Sequence, residues 1–298
     1  MQERWIDVGG LRVYAVDWPG PRQPAQDPVL LLHGLGGSTI GWESIGAELA
    51  ERLETRVTAI DLLGFGRTRL PSGRSTMAHN VQIVTKILER EGPAILVGNS
   101  MGGAISVGVA GPRPELVRGL VLVDCAFPGR LSSLEHLGIA ARFSLLGIPR
   151  VGAYFVDRKA GLLGAEGLVE STLQLIMARP ERLDAQVRRR VIDLAEERLD
   201  YSEAAASYSS AARSLFGYLA RTMRRDIALV RTTTLMVHGA LDRLVPLDVA
   251  QAVTNRRPDW ELEVFEDCGH VPQLEMPGRF LDLVVDWFER RDERAIGA

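Results

Sequence analysis

The sequence predicts an α/β fold: a mostly parallel, eight-stranded sheet with helices on both faces and a helical segment inserted late in the chain. Three observations predict it. Short runs near 28–34, 57–61, 94–99, 117–124, 232–238 and 261–266 are apolar on both faces, as the strands of a covered parallel sheet are, and helical stretches alternate with them. The alternation fails once, between about 128 and 226, where only helical periodicity is present. One apolar run, Ala94-Ile95-Leu96-Val97, passes through Gly98-Asn99-Ser100-Met101-Gly102 directly into a small-residue helix. A serine on such a turn has a strained backbone and an outward hydroxyl, with glycines two positions to either side because a Cβ there would collide with the neighbouring strand or helix.

Taken in order, Gln2 to Val8 alternates like a strand and turns at Gly9-Gly10 into a second strand through Val16, a hairpin. The third strand ends in His33-Gly34-Leu35-Gly36-Gly37. Acyl transfer needs backbone N–H groups aimed at the oxygen that becomes negative. Leu35 on this loop and Met101 after the serine are the candidates, and His33 is expected to brace the loop by hydrogen bonds. The fourth strand leads to Asp61-Leu62-Leu63-Gly64-Phe65-Gly66-Arg67, which lacks the third glycine of a dinucleotide fingerprint. Asp61 and Arg67 are expected to hold this rim loop. Helices are expected to begin near Trp42, Ser75, Met101, Pro246 and Glu275.

The sixth strand ends in Asp124-Cys125, the seventh in His238-Gly239 with Asp242 just beyond, and the eighth leads to Gly269-His270. A neutral imidazole at position 270 can take the serine proton and return it to a leaving group, and a carboxylate can orient it. Asp242 is the first candidate for that acid, against a bland role as a helix cap, and Asp124 is the reserve candidate. Between the sixth and seventh strands, helices are expected over 131–146, 168–177, 183–199 and 204–223. The chain thus divides into a core, 1–127 and 227–298, and a helical cap, 128–226, over the strand C-termini where ligands bind in open sheets.

Composition narrows the partners. The net charge is −3 and Lys/Arg do not cluster, which argues against a nucleic-acid partner. No apolar run reaches the roughly 20 residues of a bilayer span, and the first residues show no signal-peptide pattern. Two cysteines, Cys125 and Cys268, make no disulfide framework, so a cytoplasmic location is expected, and no Cys/His cluster has metal-ligand spacing. Whether the chain is a monomer or a homodimer is left open.

Together His33-Gly34, Asp61 to Gly66, the elbow around Ser100, Gly239 to Pro246 and Gly269-His270 resemble the α/β-hydrolase superfamily over nearly the whole chain. The resemblance implies a Ser100 nucleophile, a His270 base, an Asp242 orienting acid, a Leu35/Met101 oxyanion hole and no cofactor. It is specific for fold and weakly specific for substrate. The expected reaction is hydrolysis of a small-molecule carboxylic ester through an acyl-enzyme, and the low aromatic fraction, 6%, leans toward an aliphatic group. Relatives that attack with aspartate are excluded by Ser100. The Gly-Asn-Ser-Met-Gly-Gly elbow is shared with hydrolases of carbon–carbon bonds in meta-cleavage products, which typically carry Trp after the histidine where this chain has Val271. A non-turnover receptor on the same fold is the reading from another class.

Overall fold

The computed structural model describes residues 1–21, 26–129, 138, 148 and 150–296. Eight strands form a single sheet: β1 (Gln2–Val8), β2 (Leu11–Trp18), β3 (Val29–Leu32), β4 (Val57–Ile60), β5 (Ala94–Asn99), β6 (Val117–Val123), β7 (Thr234–Gly239) and β8 (Glu261–Phe265). Their spatial order is β1-β2-β4-β3-β5-β6-β7-β8. β1 and β2 pair antiparallel through a two-residue turn in which Gly9 and Gly10 both take positive φ, 58° and 82°, the conformation a tight right-twisted hairpin requires. β2 is also antiparallel to β4, and every later pairing is parallel.

The strands are apolar on both faces because both faces are covered. Leu30, Leu32, Leu96, Leu120, Leu122 and Met236 face one way, into a core with α2 (Met77–Glu91) and α3 (Met101–Ala110). The alternate residues Leu31, Val97, Val121, Val123, Leu235 and Val237 face the other way, against α1 (Glu43–Arg52) and the last long helix. Local chemistry sets the helix ends. Thr76 caps α2 by accepting the His79 N–H at 3.2 Å, and Gly92 ends it with φ 102° while donating to the Leu88 carbonyl. All ten residues of α3 are buried, as an all-apolar helix demands.

The described elements between β6 and β7 are helical: α4 (Val151–Ile176), α5 (Ala185–Leu199), α6 (Ala204–Arg221) and α7 (Met223–Leu229), with a 3-10 turn at Pro180–Arg182. Three more helices follow: α8 (Leu247–Thr254), the short α9 (Pro272–Glu275) and α10 (Pro277–Ile296). The helix expected over 131–146 lies outside the described residues. The helix expected over 168–177 is the second half of α4, which starts seventeen positions earlier at Val151 and breaks its helical geometry at Gly164 (φ 66°, ψ −178°). Its second half packs through Val169 and Leu173 with Val187 and Ile192 of α5 and with Ile40, Val271 and Leu274 of the core. No described helix is long and apolar enough to cross a membrane.

Candidate active site

β5 and α3 meet at Ser100, whose φ of 54° and ψ of −113° lie outside the regions open to an ordinary L-residue. Close approach on both sides holds it there. A Cβ on Gly98 would come within 2.5 Å of the Gly102 carbonyl carbon, and one on Gly102 would fall inside the Leu32 carbonyl of β3. The Ser100 N–H donates to the Val123 carbonyl at 2.9 Å, and its own carbonyl accepts the Ala104 N–H at 3.1 Å, starting α3. Met101 is therefore in the first helical turn, where a backbone N–H has no partner within the helix and the dipole favours negative charge.

The loop after β3 lies against this serine: a Cβ on Gly34 would stand 3.2 Å from Ser100 Cβ. Leu35 follows it, partly buried against the core. His33 acts as a brace. Its Nδ1–H donates to the Gly34 carbonyl at 2.7 Å and its Nε2 accepts the Leu62 N–H at 2.9 Å, which uses both ring nitrogens of one neutral tautomer. Burial lowers its pKa to about 4. Asp61 ties the same loop to the rim, one carboxylate oxygen accepting the Thr39 N–H and the other the Arg67 N–H, each at 2.7 Å. Burial raises Asp61 to about 6 despite those donors. From α5, the largely buried Arg198 donates to the Gly64 and Gly66 carbonyls at 2.9 and 2.5 Å, so the helical insertion is stitched to the rim.

Asp242 and His270 come together from the ends of β7 and β8. His270 Nδ1 lies 2.6 Å from Asp242 Oδ2, with both residues 4% exposed. Asp242 Oδ1 accepts the Leu244 and Val245 N–H groups at 2.7 and 3.1 Å. One oxygen thus meets His270 and the other closes the turn before α8; the expected helix cap is not formed, since Pro246 is the N-cap of α8 and Asp242 does not cap it. Burial pushes Asp242 up, but the His270 and His238 rings and the Leu244 N–H outweigh it and leave it below the usual carboxylate range. The His270 carbonyl accepts from Asn99 Nδ2 at 3.0 Å, and Asn99 also donates to Val123. Asn99, beside Ser100, therefore holds the histidine loop against the tip of β5.

Asp124 lies beneath this couple and not in it. It is fully buried at φ 42°, with Oδ1 accepting the Gly239 N–H at 2.9 Å and its carboxyl sharing a hydrogen bond with Asp242. Burial, and then the Asp242 carboxylate, raise its pKa well above the ordinary value, so of the two acids Asp242 carries the charge. Asp124, His238 and Asp242 offer atoms within 4.8 Å of one another. Asp242 is occupied by His270 and the backbone, however, and His238 Nε2 meets the Val245 carbonyl at 2.9 Å. That is a proton-sharing cluster more than a ligand set. Cys125 and Cys268 are free, buried thiols whose pKa values burial raises, the setting of inert cysteines.

Two residues at the site have no signal in the sequence. Arg198 sits in an arginine-rich helix face with nothing to single it out. Glu275 marks only a helix start in the sequence, yet it is 2% exposed and accepts three backbone N–H groups: Gly269 at 3.0 Å, Ala178 at 3.1 Å and Arg179 at 2.8 Å.

Residues 29–283 match the alpha/beta hydrolase family. The chain belongs to that family. This hydrolase is 30% identical over 277 residues to the 2-hydroxy-6-oxo-2,4-heptadienoate hydrolase of Pseudomonas putida, covering 90% of this chain and 91% of that one. It is also 30% identical over 276 residues to a 2-hydroxymuconate semialdehyde hydrolase of Pseudomonas putida, covering 89% and 88%. Among solved structures, it superposes on a meta-cleavage product hydrolase from Pseudomonas fluorescens with TM-score 0.74, 23% identity and coverage of 96% and 97%. A serine hydrolase from Cycloclasticus zankles gives TM-score 0.75 at 20% identity, covering 97% and 98%.

Proposed function

We propose that this hydrolase cleaves carboxylic esters of small to medium, aliphatic acyl or alkyl groups through an acyl-enzyme on Ser100. The observation that carries the reading is the buried Asp242–His270 couple at 2.6 Å, tied through Asn99 to the strained Ser100 turn. In this reading Ser100 Oγ attacks the ester carbonyl while His270 Nε2 takes its proton, and Asp242 stabilises the imidazolium that forms. The N–H groups of Leu35 and Met101 hold the tetrahedral oxyanion. His270 returns the proton to the departing alcohol, then activates water to release the acid and regenerate Ser100. Residues 128–226 serve as a cap over the site.

Several arginines of the described insertion are already paired. Arg188 pairs with Glu170 at 2.5 Å, Arg190 with Glu43 at 2.7 Å, and Arg179 and Arg182 with Asp267, while Arg198 binds rim carbonyls. The second reading is hydrolysis of a carbon–carbon bond in a dienoate, and the names of the 30% identical relatives favour it.

The test is turnover of p-nitrophenyl esters from acetate to dodecanoate, beside loss of absorbance of a 2-hydroxy-6-oxo-dienoate, with Ser100→Ala as control. Ester turnover lost in the variant, with a far lower kcat/KM on the dienoate, is the expected result. The opposite ranking of the two substrates replaces the ester reading with the carbon–carbon one.

A further inference from the structure

Three contacts join the histidine loop to the chain leaving α4. The His270 N–H donates to the Ile176 carbonyl at 2.7 Å, just where α4 ends. Glu275 Oε2 accepts both Gly269 N–H on the loop and Ala178 N–H on the leaving chain, and Oε1 accepts Arg179 N–H. The two backbones pass so closely that a Cβ on Gly269 would come within 2.7 Å of Ala178 N and Ile176 O. Outside them, Arg179 and Arg182 reach Asp267, at 3.1 and 2.5 Å. Those pairs are exposed, and exposed ion pairs contribute little. The buried carboxylate is the strong member, because charge-assisted bonds to backbone N–H groups are roughly twice as strong as neutral ones and lose little to solvent.

We propose that Glu275 is a positioning residue: it clasps the His270 loop to residues 176–179, so the histidine is set for proton transfer only while that segment of the insertion is seated. This rests on the serine-hydrolase reading of the site. The chain of contacts is continuous. Glu275 holds Gly269, His270 is fixed at its N–H by Ile176 and at its carbonyl by Asn99, and its ring is aimed by Asp242. Releasing the clasp leaves Asp242 and Asn99 in place but frees the side of the loop that faces the insertion. The expected loss is in proton transfer, which depends steeply on position, with about 1 Å of displacement able to cost on the order of 10²-fold.

The experiment compares wild type, Glu275→Gln and Glu275→Ala by three readouts. These are kcat and KM on a p-nitrophenyl ester, the rate of Ser100 labelling by a fluorophosphonate, and amide hydrogen exchange at 176–179 and 269–270. Glu275→Ala should lose on the order of 10²-fold in kcat and in labelling rate with KM within a few fold, together with faster exchange in both segments. Glu275→Gln, which keeps one acceptor oxygen, should fall between and carries the test if the alanine variant does not fold. Faster exchange with kcat and labelling unchanged overturns the proposal, as does a loss of kcat and labelling with no change in exchange at 176–179 and 269–270. A wild type that neither turns over esters nor labels points instead to failure of the serine-hydrolase reading.

Discussion

Ser100 sits at φ 54° with its neighbours packed too closely for the turn to relax, and a structure keeps such strain only where the surroundings over-determine it. Ser100→Ala should leave the fold intact and lower kcat on the order of 10⁶-fold, measured on the best ester. The two buried acids should separate cleanly. Asp242→Asn removes the acceptor for His270 and should cost about 10⁴-fold in kcat. Asp124→Asn replaces a neutral acid with a neutral amide and should cost less than about tenfold, one ordinary hydrogen bond. An equal loss in both would mean the acids share the orienting role.

His33 makes a pH prediction. Its folded pKa, about 4, lies below the ordinary 6.5, so its stabilising contribution is complete above pH 6.5 and is lost as pH falls toward 4. That difference corresponds to about 3 kcal/mol. Asp61, raised to about 6, acts with the opposite sign over nearly the same range and masks much of this in the wild type. The difference in urea stability between wild type and His33→Asn isolates it, and should shrink by about 3 kcal/mol between pH 7 and pH 4. At this scale the Asp242–His270 contact, the strained turn at Ser100 and the bracing role of His33 were legible, because a polar side chain beside glycine at the end of an apolar strand adds nothing to the core. Glu275 was not, because an acid five positions after a histidine acquires its meaning only when a segment almost a hundred positions earlier folds back onto it.

Among the elements, the strands were the most legible. Four residues of β3 and four of β4 are all buried, and a run with no polar face can be little else between glycine-rich turns. The elbow is a close junction, with no room for a Cβ on Gly98 or Gly102. Gly102→Ala should cost about 1–3 kcal/mol by overpacking against the Leu32 carbonyl, read as a lower urea midpoint, and activity should fall further than stability because the displaced group is the one beside Ser100. The start of α4 was not legible. Val151, Tyr154, Phe155, Leu162 and Leu163 are exposed in its first half, so the apolar pattern there does not report a buried face, and Gly161, Gly164 and Gly167 interrupt the helical propensity. Periodicity became readable only past the Gly164 break, where Val169 and Leu173 turn inward.

For the molecule as a whole, the mostly parallel sheet follows from strands apolar on both faces, and the position of the helical insertion follows from the failure of alternation after β6. What lay beyond sequence reading is how tightly the two parts are joined: Arg198 reaches the rim at Gly64 and Gly66, and Glu275 reaches the chain leaving α4. Arg198→Met should keep the core intact while loosening the rim, seen as faster proteolysis between 61 and 69 with a small change in global unfolding.

The neighbouring strands β6 and β7 are separated along the chain by residues 124–233, so the seam between them closes only after the whole insertion has been made. The serine is encoded before that gap, and the acid and histidine after it. On the proposed reading, a chain emerging from the ribosome carries its nucleophile for a long interval without a base to activate it, and activity should switch on late in folding. In refolding experiments this should appear as a delay: helical circular dichroism, built from local contacts, returns first, and hydrolase activity follows with the slow closure of the long-range β6–β7 pairing.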